Sequence, residues 1–254
     1  MSRNKGVSSE GATSEEGKYQ ILPVKTDKKK SPKWADVPDM LIQHPSAILC
    51  CAPPKSGKST WCVNALLNPS FDWINRFDRI VIISPTIMSD KTWAPIHKVI
   101  DPEIEDNEYA DKVKIFTGDD LDHMDEIIDA IIEEQKSDPE VTTLIIIDDA
   151  IGKLRNGSLG KLYAKYRHFN LSLLTISQAF KAFDPISRAS CNGYILFKTH
   201  NQKEKSKIME ELNGIPNIEG MYDKVTDKKH SFLWVNLENQ AVYDNFNEKI
   251  WSKD

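Results

Sequence analysis

The chain has 254 residues, 40 % of them hydrophobic and 28 % charged, with a formal net charge of −5 at pH 7. That suits one α/β domain with additions, and no apolar run approaches the ~20 residues of a membrane span or forms the h-region of a secretion signal. The cysteines Cys50, Cys51, Cys62 and Cys191 show no C-x-x-C spacing and no Cys/His cluster, so neither a zinc site nor a disulfide framework is implied, and the chain reads as one of a reducing, cytosolic compartment.

Residues 1–33 are rich in Ser, Gly, Glu and Lys and read as a disordered tail. Within it, Lys28-Lys29-Lys30 suits nucleic-acid contact, a nuclear address or a solvated linker. Residues 34–254 read as a single P-loop ATPase domain. The run Ala47-Ile48-Leu49-Cys50-Cys51 predicts a strand with Cys50 and Cys51 on opposite faces. The loop Ala52-Pro53-Pro54-Lys55-Ser56-Gly57-Lys58-Ser59-Thr60 follows, and Trp61 to Leu67 predicts a helix. Strand, tight loop and helix make a phosphate cradle, because loop N–H groups and the helix N-terminus face the anion. The pattern is that of the P-loop, with Ala52 in place of its first glycine. Pro53 and Pro54 have no N–H, so the donors must come from Lys55, Ser56, Gly57, Lys58, Ser59 and Thr60. In that pattern Lys58 reaches the β- and γ-phosphates of ATP and the Ser59 hydroxyl ligates Mg²⁺.

Further along, Arg79 to Ser84 predicts a buried strand stopped by Pro85, and Lys112 to Phe116 predicts another. From Asp120 to Gln135 the apolar residues fall on one face of a helix with acids opposite. Leu144-Ile145-Ile146-Ile147 lacks alternation, as a strand covered on both faces does. It ends in Asp148-Asp149, at the strand end where open α/β sheets bind ligands. Asp148 suits Mg²⁺ ligation through water, and Asp149 suits a general base that polarises the attacking water. Leu159 to His168 predicts a helix and Leu171 to Ser177 a strand. The Gln178 amide that ends this strand either bridges the γ-phosphate and the lytic water or caps the next helix. Gly193 to Lys198 predicts a strand, and Gln202 to Leu212 a helix stopped at Asn213-Gly214. Ser231 to Val235 and Gln240 to Tyr243 predict a closing hairpin. Alternating strands and helices imply crossovers and a mostly parallel sheet. The expected fold is a RecA-like P-loop ATPase domain flanked by helices, with added C-terminal strands. Trp61, Trp73 and Trp93 read as core or interface. A small GTPase is disfavoured, since Asn201-Gln202-Lys203-Glu204 does not make the guanine-reading N-K-x-D.

Charge divides sharply along the chain. Asp101 to Asp149 holds eighteen acids against three lysines, and Ile151 to Met209 holds eleven Lys or Arg against Asp184 and Glu204. A basic half beside a phosphate loop suits a polyanionic track, while a solvated surface is the usual fate of such residues.

The loop Ala52–Thr60, the strand end Ile82-Ile83-Ser84-Pro85-Thr86, the carboxylates Asp148-Asp149, the pair Arg167-His168 and Ser177-Gln178 occur in one order. That order resembles the viral genome-packaging ATPases of the FtsK–HerA superfamily, in particular the poxvirus-type branch of large DNA viruses and virophages, over roughly Ala47 to Lys198. The resemblance implies an ATPase that translocates double-stranded DNA into a preformed capsid as a homo-oligomeric ring, with a capsid or portal-vertex protein as partner. It implies the host cytoplasm (a virus factory) or the virion as location. Lys58 and Ser59 would bind phosphate and Mg²⁺, Asp148 and Asp149 would be metal ligand and base, Gln178 the sensor, and Arg167 a finger donated to a neighbour's ATP. Tyr166 stands where the family pattern has glycine, and Arg188 is the second candidate for the finger. Two other readings remain open: a P-loop helicase or conjugation-type pump, with Tyr163, Tyr166 and Phe169 as stacking residues, and an ATP-dependent assembly scaffold that does not hydrolyse.

Overall fold

The computed structural model describes residues 32–154 and 158–253. The tail expectation therefore lies almost wholly outside the described residues, as do Lys28-Lys29-Lys30 and Arg155. The description begins with a 3-10 turn, Pro32–Trp34, that buries Trp34 against His44 and Phe77.

Nine strands form one sheet: β1 Ala47–Cys51, β2 Arg79–Ile83, β3 Val113–Phe116, β4 Thr143–Asp148, β5 Leu171–Ser177, β6 Gly193–Phe197, β7 Phe232–Asn236, β8 Ala241–Asp244 and β9 Glu248–Ser252. The helices α1 Lys58–Leu67, α2 Trp73–Arg76, α3 Ala94–Val99, α4 Glu108–Lys112, α5 Met124–Ser137, α6 Ser158–Lys165, α7 Pro185–Ser190, α8 Gln202–Glu211 and α9 Ile218–Thr226 lie between them. The order across the sheet is β3-β2-β4-β5-β1-β6-β7-β8-β9. Every pairing from β3 to β6 is parallel, and those from β6 to β9 are antiparallel. This is the RecA-like arrangement with added C-terminal strands.

Crossover helices cover both faces of a parallel sheet, so its strands must be apolar on both sides. Alternate residues of β1 accordingly enter two separate cores. Ala47, Leu49 and Cys51 pack with Met124 and Ile128 of α5 and Tyr163 of α6. Ile48 and Cys50 pack with Cys62 and Leu66 of α1 and with Trp93. All four cysteines are free and buried. Gly193 in β6 has a packing reason: a Cβ there would lie 2.4 Å from the Trp234 ring.

Some boundaries differ from expectation, each for a local reason. Helix α1 begins at Lys58 rather than Trp61, so Lys58, Ser59 and Thr60 occupy its first turn. The segment expected to be helical from Asp120 starts as a 3-10 turn, set by a capping box between Thr117 and Asp120. The helix expected to reach His168 stops at Lys165, and a 3-10 turn, Tyr166–Phe169, closes on Asn170 at φ 51°. Among the described residues no helix is long and apolar enough to cross a membrane.

Candidate functional site

Parallel strands β1, β4 and β5 end on the same edge of the sheet, and the loops leaving them meet there. The loop after β1 turns sharply at Lys55 (φ 62°) and Gly57 (φ 105°), both in the left-handed region. Ser56 N–H donates to the Pro53 carbonyl. Among the described residues, the N–H groups of Gly57, Lys58, Ser59 and Thr60 have no protein acceptor. Four free donors at the N-terminus of a ten-residue helix form an anion seat. The Ser56 hydroxyl is buried there without a partner.

Lys58 reaches across this seat to both carboxylates that end β4. Its ammonium pairs with Asp149 and lies 3.2 Å from Asp148 Oδ1. Burial alone would lower the Lys58 ammonium, but the two acids outweigh it and hold it above its ordinary value. Burial pushes the Asp148 carboxyl up, against the pull of Lys58 and with help from Asp149. The Lys58 ammonium by itself would lower Asp148, but the loss of water around a carboxylate only 1 % exposed outweighs it. The Ser84 hydroxyl, at the end of β2, donates to Asp148 Oδ2 at 3.3 Å. Gln178 Nε2 donates to Asp149 Oδ2 at 3.0 Å. Asp149 has φ 53°, which turns its side chain from the strand toward the loop. Lys58, Asp148, Asp149 and Gln178, chosen from sequence, are thus brought together.

The cleft that Lys58, Asp149 and Gln178 line measures about 580 Å³, and its walls include Lys55, Ser59, Thr60, Thr86, Asp90 and His230. Two of these were not among the residues singled out from sequence. Asp90 caps a 3-10 turn by accepting from Thr92 N–H at 2.9 Å. Burial would raise its carboxyl, but Thr92, Ser59 and Lys58 together hold it below the usual range. His230 donates from Nδ1 to the Ser56 carbonyl at 2.9 Å, across 174 residues of sequence. A Cβ on Gly57 would lie 3.2 Å from that imidazole, so glycine serves there both the backbone angle and the close approach. Asp90 carried a faint signal as an N-cap before Lys91-Thr92; His230 carried none.

Arg167 is not at this cleft. It precedes β5, whereas Gln178 follows it, and seven residues at ~3.3 Å each separate the two ends by about 20 Å. Its guanidinium is exposed, and its Nε donates to the Tyr166 hydroxyl at 2.8 Å. Arg188 is held within the chain: Nε donates to Glu211 at 2.8 Å and a terminal nitrogen to the Phe183 carbonyl at 2.5 Å. Tyr163 and Tyr166 are core residues. The Tyr163 hydroxyl donates to the Ile48 carbonyl at 2.8 Å, so neither ring offers a stacking platform.

The residues fit a magnesium ion held jointly with phosphate. Asp148 Oδ1 is buried with the Lys58 ammonium, 3.2 Å away, as its counter-charge, a place another cation could take, and Ser59 lies in the first turn of α1. No group of three His, Cys, Asp or Glu suited to a metal occurs among the described residues. That is the donor set of a cation that keeps water and borrows ligands from its nucleotide.

No family model and no curated protein matches this sequence. Solved structures do match. The genome packaging NTPase B204 from Sulfolobus turreted icosahedral virus 2, in complex with ATP-gammaS, is 16 % identical over 79 % of this chain and 96 % of its own, with a TM-score of 0.54. The same protein in complex with sulfate is 17 % identical over 82 % and 98 %, with a TM-score of 0.56. B204, the DNA-packaging ATPase from Sulfolobus Turreted Icosahedral Virus, is 14 % identical over 79 % and 97 %, with a TM-score of 0.57. At these identities the likeness is one of fold.

Proposed function

We propose that the chain is an Mg²⁺-dependent ATPase of the FtsK–HerA type. It would work as a homo-oligomeric ring that drives double-stranded DNA into a preformed capsid. The observation that carries this reading is the meeting of Lys58, Asp148, Asp149 and Gln178 beside four unsatisfied loop N–H groups. The fold shared with B204, named as a genome packaging NTPase, supports the choice of translocation over other P-loop chemistry.

In this reading the loop from Lys55 to Thr60 seats the triphosphate, and Lys58 leaves its carboxylate partners for the β- and γ-phosphates. Asp149, then released from Lys58, accepts a proton from the attacking water, which the Gln178 amide orients. Mg²⁺, when bound with the nucleotide by Ser59 and Asp148, supplies charge neutralisation at the phosphates. Arg167 belongs to the neighbour's site, because it lies far from its own, is exposed, and has no carboxylate partner among the described residues. Arg188 is less suited, being committed to Glu211 and Phe183. Duplex phosphates would meet the exposed Lys161 and Lys165, four residues apart on α6. A capsid or portal-vertex protein is the expected docking partner, and the host cytoplasm or virion the expected place.

The test is steady-state phosphate release with and without long duplex DNA, at low and moderate salt. Duplex should stimulate the rate, more at low salt. A rate indifferent to duplex under every condition overturns translocation, and preferential stimulation by single strands points to a helicase. Lys58→Ala should remove turnover altogether.

A further inference from the structure

His230 is exposed and lies in the turn between α9 and β7, yet its imidazole is bonded to the loop after β1. Ser231 N–H closes the turn by donating to the Lys228 carbonyl at 3.2 Å, and His230 takes the left-handed conformation at φ 64°. That conformation is uncommon for a residue with a side chain. Here it accompanies a contact across 174 residues of sequence. The turn also has a firm base. Phe232, two residues on, opens β7 and lies opposite Phe197 of β6, which is the neighbour of β1. The imidazole and the loop therefore hang from one sheet.

What the bond fixes is a peptide plane. Ser56–Gly57 is a trans peptide, so its carbonyl and its N–H point in opposite directions. With the Ser56 carbonyl held on His230, the Gly57 N–H must point the other way. It is one of the four donors of the anion seat that have no protein acceptor among the described residues. Glycine adopts positive and negative φ about equally well, so rotation of this peptide meets little resistance at Gly57 itself. A half-turn would exchange donor for acceptor and set a carbonyl oxygen against the anion. Nor does the loop brace itself well. Among the described residues, the stretch from Ala52 to Gly57 closes on itself through one backbone bond, Ser56 N–H to the Pro53 carbonyl at 3.2 Å. Pro53 and Pro54 have no N–H to add.

We infer that His230 is a positioning residue for the phosphate loop: it holds the Ser56–Gly57 peptide in the orientation that offers an N–H, not a C=O, to an anion. The segment after Lys198, which carries no nucleotide-binding motif, thereby takes part in phosphate binding through a backbone it does not belong to. The inference rests on the P-loop reading above, and the experiment separates the two.

Glycine and asparagine both accept the left-handed backbone of this turn, but only asparagine keeps a donor near the place of Nδ1. Calorimetric titration of the full chain with Mg-ATP and with Mg-tripolyphosphate, which has no base, reads the difference. His230→Gly should weaken both ligands alike, by about fivefold, the weight of one hydrogen bond withdrawn from the binding-competent loop. His230→Asn should stay within twofold of the unaltered chain. The urea midpoints of the two variants should coincide, so that a gap in affinity between them is not a gap in folding. Unchanged affinity in His230→Gly, an equal loss in His230→Asn, or a loss confined to ATP overturns the positioning role while the phosphate site stands. A loss of affinity matched by a lower urea midpoint does the same. Failure of the unaltered chain to bind either ligand overturns both.

Discussion

Lys58 carries two carboxylate contacts, and under the proposed function a triphosphate would replace them, which would give Asp149 opposed duties. It would anchor the lysine before the phosphates arrive and be left to take a proton once they do. Asp149→Asn keeps the size and one acceptor but loses the charge. It should cut phosphate release at least ~100-fold, the usual weight of a general base, and leave ATP affinity equal or tighter, because Lys58 is then less strongly held. Rapid-quench turnover beside equilibrium titration reads both. A second residue-scale expectation concerns His44, buried between Ser172 Oγ at 2.7 Å and Asn170 Oδ1 at 2.9 Å, against the Trp34 ring. Burial lowers its imidazole to about 4. The unfolded chain binds that proton near 6.5 and the native chain only near 4, so stability is full above 6.5 and falls as pH drops toward 4. Between pH 7 and pH 5 the loss should be about 2 kcal/mol by urea unfolding, and His44→Gln should flatten that slope.

The elements that sequence revealed are those whose burial leaves no choice. β1, β2, β4, β5 and β6 are buried along nearly their whole length, and such strands show as unbroken apolar runs. Helices α2, α3 and α4 have four to six residues, too few for a 3.6-residue period to show. Helix α9 has Gly220 in its first turn, and β9 is a half-exposed edge strand beginning Glu248-Lys249, so neither announced itself. Caps do as much as periodicity for the short helices. Asp184 accepts from Ile186 N–H at 2.9 Å and Ser187 N–H at 3.0 Å, and Pro185 opens α7. Asp184→Ala should lower stability by about 1 kcal/mol, measured by denaturant midpoint, while Asp184→Asn should recover most of it.

Over the whole molecule, the charge division seen in sequence is partly folded away. Lys153 pairs with Asp122, Lys198 with Asp227, and Lys205 with Glu219 and Asp223, so the basic half is not a bare cationic track. Lys161 and Lys165 keep their charge outward without a carboxylate partner among the described residues. Replacing both by alanine should weaken duplex binding and reduce the salt slope of log affinity by about two, without altering basal turnover. Arg167→Ala should act only in assemblies: mixed with unaltered chains, it should depress turnover beyond its own share. The site was legible wherever its residues end strands, as Asp148, Asp149 and Gln178 do, and illegible where folding joins distant segments, as with His230. That imidazole has a mechanical consequence. The short turn between α9 and β7 is bonded to the carbonyl of Ser56, so a displacement of the last strands would be passed to the loop proposed to hold phosphate. By reciprocity, phosphate bound at that loop would bias the position of the last strands by the same free energy with which their position would bias phosphate binding.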